Sequence, residues 1–154
     1  MDAMRLFQAA DVLMMTDLSR HQLREWTGRG RRALLRADVE AAGPGRHALY
    51  AWQTVLVLRL LLVLHRDFAA EVGAWAPALQ TLRAKLDKVS FPALWELGVF
   101  FPNREDAELT SLPMHAGTSG VFISLEPHLS ALATQLASPR PGQLSLFPAV
   151  AIGQ

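Results

Sequence analysis

The chain has 154 residues, 51% of them hydrophobic, with a net charge of +1 and no cysteine. That length suits one ordinary domain, or a small domain with an appended segment, and the apolar content excludes wholesale disorder. Disulfides, thiolate-ligated zinc and thiol redox sensing are excluded, and a reducing compartment is permitted. The longest apolar run, Thr54 to Leu64, is interrupted by Arg59 and is too short to span a bilayer. The N-terminus MDAMRLFQAADVL lacks a signal-peptide pattern, so a cytoplasmic protein with no membrane partner is expected.

The charge is unevenly spread. Residues 1–66 hold ten Arg and six acids, whereas residues 67–154 hold five basic and eight acidic residues. Six of the Arg fall between Arg20 and Arg36, with Glu25 the one acid among them. A solvated basic face, or the codon usage of a GC-rich genome, is the plain alternative. Arg without Lys leans toward phosphate contact, because planar guanidinium forks match phosphate oxygens and guanine edges.

In chain order, MRLFQAADVL places Leu6, Phe7, Ala10 and Leu13 at the spacing of a short amphipathic helix. Ser19 then suits the N-cap of a second helix, with Leu23 and Trp26 inside and Gly28 and Gly30 ending it. Two short helices joined by a tight turn make a helix-turn-helix, whose second helix offers Arg20, His21 and Arg24 outward. The stretch RRALLRADVEAAGPGRHALYAW reads as a β-hairpin, with strands over 33–39 and 47–50 around a Gly43-Pro44-Gly45 turn. Trp52 to Leu64 follows as a strongly apolar helix with Arg59 on its polar stripe. Phe68 to Leu86 continues as a further helix kinked near Pro77.

The succession of helix, turn, Leu23-Arg24-Glu25-Trp26 helix, and a hairpin ending Gly45-Arg46-His47-Ala48-Leu49-Tyr50 resembles the MerR superfamily of winged-helix DNA-binding proteins. The resemblance covers about residues 4–86. It implies that Arg24 faces DNA, that Arg46 approaches the backbone from the wing, and that Tyr50 reaches a phosphate. Arg20, His21, Arg29, Arg31 and Arg32 join them as candidate contacts. The alternatives are core packing against Trp52 for Tyr50, an ion pair with Asp17 for Arg24, and simple solvation for His21. MerR-type regulators dimerise through one long C-terminal helix. Here no heptad run follows residue 68, and Gly73, Pro77, Pro92 and Gly98 punctuate the region, so that route is not expected.

Beyond residue 88 the pattern changes. FPALWELG suits one or two helical turns. GVFFP, AELTSLP and GVFISL read as three short strands, with turns at 103–106 and 117–120. EPHLSALATQLA makes an amphipathic helix through Leu129, Leu132 and Leu136. This α+β element could extend the core, form a homodimer interface or enclose a ligand. Its acids (Glu96, Glu105, Asp106, Glu108, Glu126) and its His115 and His128 show no metal-ligand spacing, and no nucleophile elbow or phosphate loop is present. No enzyme activity, metal or cofactor is expected.

The end of the chain adds a second resemblance. Residues 138–142, SPRPG, have linker composition, and a flexible tail is expected behind them. Gln143-Leu144-Ser145-Leu146-Phe147 then resembles, at every position, the short motif by which bacterial proteins bind the DNA polymerase III sliding clamp. The resemblance implies Leu146 and Phe147 in an apolar pocket, Leu144 packed beside it and Gln143 hydrogen bonded at its rim. A tail folded back on its own domain is the alternative.

The expected fold is therefore mainly α, of the α+β class. A winged helix-turn-helix domain (1–88) is followed by a small three-stranded element (89–137) and a tail (138–154). Two functions stay open: a transcriptional regulator that binds double-stranded DNA, and a replication, repair or mobile-element accessory protein that also docks on the clamp.

Overall fold

The computed structural model describes residues 5–28, 33–111 and 119–137. Among these the fold is mixed α and β, with five α-helices and two small antiparallel sheets. The chain begins with a strand, β1 (Leu6–Gln8), that runs directly into helix α1 (Ala9–Met15). The helix expected from residue 4 therefore starts late. Leu6, Phe7 and Gln8 pair antiparallel with Ala51, Tyr50 and Leu49, respectively. A partner so distant in sequence leaves no local periodicity to read. The Gln8 amide donates to the Asp11 carboxylate at 3.0 Å, which caps the first turn of α1.

Helix α2 (Arg20–Thr27) has the start its sequence promises. Ser19 Oγ accepts from the Gln22 amide at 3.0 Å, and Gln22 Oε1 accepts from the Ser19 amide at 3.0 Å. This reciprocal capping box satisfies two otherwise orphaned donors. The helix buries Leu23, Trp26 and Thr27 and stops at Gly28.

The expected hairpin is mostly irregular chain. Its first arm keeps one bridge, Val39↔Leu49, with bonds of 3.0 and 2.8 Å. The reason lies in Leu34 and Leu35. Both are buried, and both amides donate to the Trp26 carbonyl, at 2.9 and 3.1 Å. With both amides spent on the end of a helix, neither leucine can donate to a strand partner, so this arm cannot form a ladder here. The Gly-Pro-Gly turn forms as expected, with φ of 86° at Gly43 and 79° at Gly45 and the Arg46 amide bonded to the Gly43 carbonyl.

Strand β2 (Leu49–Ala51) leads into helix α3 (Trp52–Asp67), which runs three residues past the expected end. Residues Val55–Leu58, Leu60–Leu62 and Leu64 are all buried, as befits a helix apolar on nearly every side. The helix expected over residues 68–86 is not continuous. Ala69 takes a left-handed φ of 50°, the Ala70 amide turns back to the Leu64 carbonyl, and a 3₁₀ turn (Val72–Trp75) precedes α4 (Ala76–Leu86). Pro77 lies in the first turn of α4, where a missing N–H is harmless, so it starts a helix instead of kinking one.

A 3₁₀ turn (Phe91–Leu94) opens the remaining segment. Strands β3 (Leu97–Phe101), β4 (Glu108–Ser111) and β5 (Val121–Ser124) form a sheet in the order β4-β3-β5, and α5 (Glu126–Ala137) follows. These agree with the sequence reading. So does the 103–106 turn, where Asn103 Oδ1 accepts from the Glu105 and Asp106 amides. Residues 117 and 118 of the 117–120 turn lie outside the described residues. A Cβ at Gly98 would overlap the Phe122 ring, so the β3–β5 pairing requires glycine there. One apolar cluster unites Val12, Trp26, Leu60 and Leu82 with Phe101, Ile123, Leu129 and Leu132, from both sides of residue 88. No helix among the described residues is long and apolar enough to cross a membrane.

Two polar junctions brace this core. Asp38 Oδ2 accepts from the Ala51 amide at 2.6 Å and from Thr54 Oγ1 at 2.7 Å. Its Oδ1 accepts from Arg83 Nη2 at 2.7 Å. Arg83 also donates through Nε to Thr54 Oγ1 at 2.8 Å and through Nη1 to Asp87 Oδ1 at 2.5 Å. Burial by itself lowers the Arg83 pKa, but the bonds to Asp87 and Asp38 outweigh it and hold the guanidinium charged.

At the second junction Arg59 Nη1 donates to the Met15 carbonyl at 2.5 Å, and its Nε donates to His128 Nδ1 at 3.2 Å. The bond makes His128 an acceptor, hence neutral with its proton on Nε2. Burial, and then the charge of Arg59, push the His128 pKa down to about 4.

Asp38→Ala should lower stability by about 2 kcal/mol, since it leaves an amide, a hydroxyl and a guanidinium short of an acceptor. Urea unfolding followed by tryptophan fluorescence measures this. A loss below about 0.5 kcal/mol, the size of an ordinary surface change, would show that the brace is dispensable.

The His128 shift fixes a sign. Between pH 6.5 and 4 the unfolded chain binds the proton that the folded chain refuses, so stability falls as pH drops through that window. Allowing for screening at a partly exposed site, the loss should be on the order of 1 kcal/mol. Urea midpoints at several pH values should show it, and His128→Asn, which keeps an acceptor but cannot titrate, should flatten it. Equal slopes in the two proteins would mean that other groups set the dependence.

Candidate nucleic-acid interface

The arginines divide into two sets. Arg5, Arg59, Arg66 and Arg83 are committed internally, to the Leu136, Met15 and Asp17 carbonyls and to the Asp38 carboxylate. Arg20, Arg24 and Arg46 are exposed, and their side chains make no hydrogen bond or ion pair among the described residues. Arg36 and Arg104 are likewise unpaired among the described residues.

Arg20 and Arg24 stand one helical turn apart on α2 and line the same groove, a cavity of about 460 Å³. Its α2 wall is completed by Leu23 and Thr27. The opposite wall comes from the 37–48 segment, through Ala37, Glu40, Ala41, His47 and Ala48. Ala9 and Leu13 of α1 and Tyr50 of β2 close it below. Arg46 is exposed at the end of the Gly43–Gly45 turn, next to His47 of this second wall, and does not itself line the groove.

Tyr50 is a floor residue, only 4% exposed. Its hydroxyl lies 3.1 Å from Thr27 Oγ1, and Thr27 Oγ1 itself donates to the Leu23 carbonyl at 2.6 Å. The proton between the two hydroxyls is therefore the tyrosine's. With that donor spent inside the core, the phosphate contact implied for Tyr50 is not supported by its placement. Nor is Trp52 its aromatic neighbour, since Trp52 packs edge-on to Phe91 at 5.2 Å.

His21 lies on the outer face of α2, where its Nε2 is 3.5 Å from Glu25 Oε2, one turn on. The anticipated pairing of Arg24 with Asp17 does not occur, because Asp17 is engaged by Arg66 at 3.7 Å. Arg29, Arg31 and Arg32 lie outside the described residues, as do Gln143, Leu144, Ser145, Leu146 and Phe147.

Sequence reasoning missed four participants. Glu40 puts an acid on the wall facing the two arginines, and Ala37 and Ala48 keep that wall shallow and apolar. Asp38 positions the whole wall from behind. Its partner Arg83 is 45 residues away, so no spacing rule could have joined them. Among the described residues no cluster of three or more His, Asp or Glu could hold a metal ion.

The sequence matches no family model, and no curated protein or solved structure is similar to it.

Proposed function

We propose that the protein binds double-stranded DNA through α2 and the Gly43–Gly45 turn, as a winged helix-turn-helix of MerR-like type, and serves as a bacterial transcriptional regulator in the cytoplasm. One observation carries the reading. Two unpaired guanidiniums, Arg20 and Arg24, line one groove and a third, Arg46, is exposed beside His47 of its other wall, while Arg59 and Arg83 are spent on the fold. Unpaired guanidiniums on a rigidly capped helix are the groups that neutralise phosphates and read guanine edges. At eight residues α2 is about 12 Å long, close to the width of a major groove. The succession α1, α2, Gly43–Gly45 turn and α3 supports the resemblance, with a turn on irregular chain where the family carries a hairpin.

In this reading Arg24 contacts the major groove and Arg46 the adjacent backbone. Arg24→Ala and Arg46→Ala should each weaken binding to a duplex of about 30 base pairs, by roughly 3- to 10-fold. Each should also make the slope of log affinity against log salt shallower by about 0.9. Fluorescence anisotropy between about 50 and 200 mM salt reads both quantities. Wild-type affinity in both variants across that range would remove α2 and the turn from the interface.

A second reading rests on a different observation, the pentapeptide Gln143-Leu144-Ser145-Leu146-Phe147 behind Pro141-Gly142. Under it the protein is a replication, repair or mobile-element accessory factor that docks on the polymerase III sliding clamp. Calorimetry against a bacterial clamp should then give micromolar affinity, about −8 kcal/mol, and the Leu146→Ala, Phe147→Ala double variant should abolish it. No heat of binding from the wild-type protein would leave regulation as the sole reading.

A further inference from the structure

We propose that the groove between α2 and the 37–48 segment is also a binding site for a small aromatic carboxylate, with its carboxylate on Arg20 and Arg24 and its ring against the apolar interior. The site stands apart from DNA binding, although it shares those two arginines.

The volume, about 460 Å³, falls in the range of small-molecule sites. The interior is built from Ala9, Leu13, Leu23 and Ala48, which a phosphodiester backbone cannot use. A duplex lying across the rim would cover these side chains without filling the space between them. The polar groups at the base are the Thr27 and Tyr50 hydroxyls, and both protons are already spent, on the Leu23 carbonyl and on Thr27 Oγ1. Nothing there asks for a polar atom, so the deep end of an occupant must be apolar.

At the rim the demand is opposite. Arg20 and Arg24 are four residues apart, roughly 6 Å along the helix axis, and have no anionic partner among the described residues. Two guanidiniums at that separation can converge on one carboxylate, each donating to one of its oxygens. Glu40 on the facing wall repels an anion, so the carboxylate is turned toward α2. Charged rim, apolar depth and one-sided repulsion together describe an aromatic acid with its ring inserted first.

The probe is 2-naphthoate, titrated into the full chain without DNA and followed by amide chemical shifts. The neutral 2-naphthalenemethanol serves as its control. We expect saturable binding with a dissociation constant of about 1 mM or tighter, which a ligand of this size reaches at ordinary efficiency. The alcohol should bind at least tenfold more weakly. The Arg20→Gln, Arg24→Gln double variant should lose at least tenfold for the acid while leaving the alcohol unchanged, and Ala41→Phe should block both by filling the groove. Shifts that fail to saturate, an alcohol that binds as well as the acid, or a double variant of unchanged affinity would each overturn the site. A protein that binds duplex but not naphthoate refutes this inference alone. If naphthoate binds, it should displace labelled duplex; simultaneous occupancy would show that the arginines are not shared.

Discussion

A carboxylate at the start of a helix meets two favourable fields at once, the open amides of the first turn and the positive end of the helix dipole. Asp38 reaches that position on α3 from a different part of the chain. It supplies the acceptor that Ala51 and Thr54 would otherwise find in water, and the Arg83 guanidinium compensates its charge from α4. The segment carrying Asp38 has little else to hold it: one β-bridge, and two leucines tucked under the end of α2. The wall of the groove that bears Glu40 and His47, and the turn that presents Arg46, are therefore fixed in space by a bonded carboxylate and not by a sheet.

The same economy appears at Arg59. A charge on an otherwise apolar helix is expensive to bury unless its donors are used, and both directions of this fork are. One bond satisfies the carbonyl that α1 leaves open at Met15. The other ends on a neutral histidine of α5, an acceptor that brings no second charge into the core. Arg59 thus links the first helix, the central helix and the last one with a single side chain.

What could be read from sequence was what neighbouring residues decide. Ser19 and Gln22 announce a helix start, two glycines announce a tight turn, and short runs bounded by turn residues announce β3, β4 and β5. Leu6 to Gln8 looked helical because Leu6, Ala10 and Leu13 share a helical face, and only Leu49 to Ala51, far along the chain, make them a strand. The break at Ala69 was hidden for a related reason. Alanine is the best helix former, and nothing local predicts that it will adopt a left-handed φ. At the groove, Arg20, Arg24 and Arg46 were legible by type. That Tyr50 faces inward to Thr27 was not, because a tyrosine after a short apolar run suits floor and surface equally well.

Helix α3 is apolar on nearly every side, so it needs cover from both halves of the chain: α1, α2 and α4 on one part, and Leu129 and Leu132 of α5 on another. Each half supplies a lid that the other lacks. A gene fusion or transfer that moved only the first 88 residues would deliver a helix with a wet leucine stripe, ready to associate with any similar surface. A cut near residue 88 would therefore leave apolar surface uncovered on both pieces.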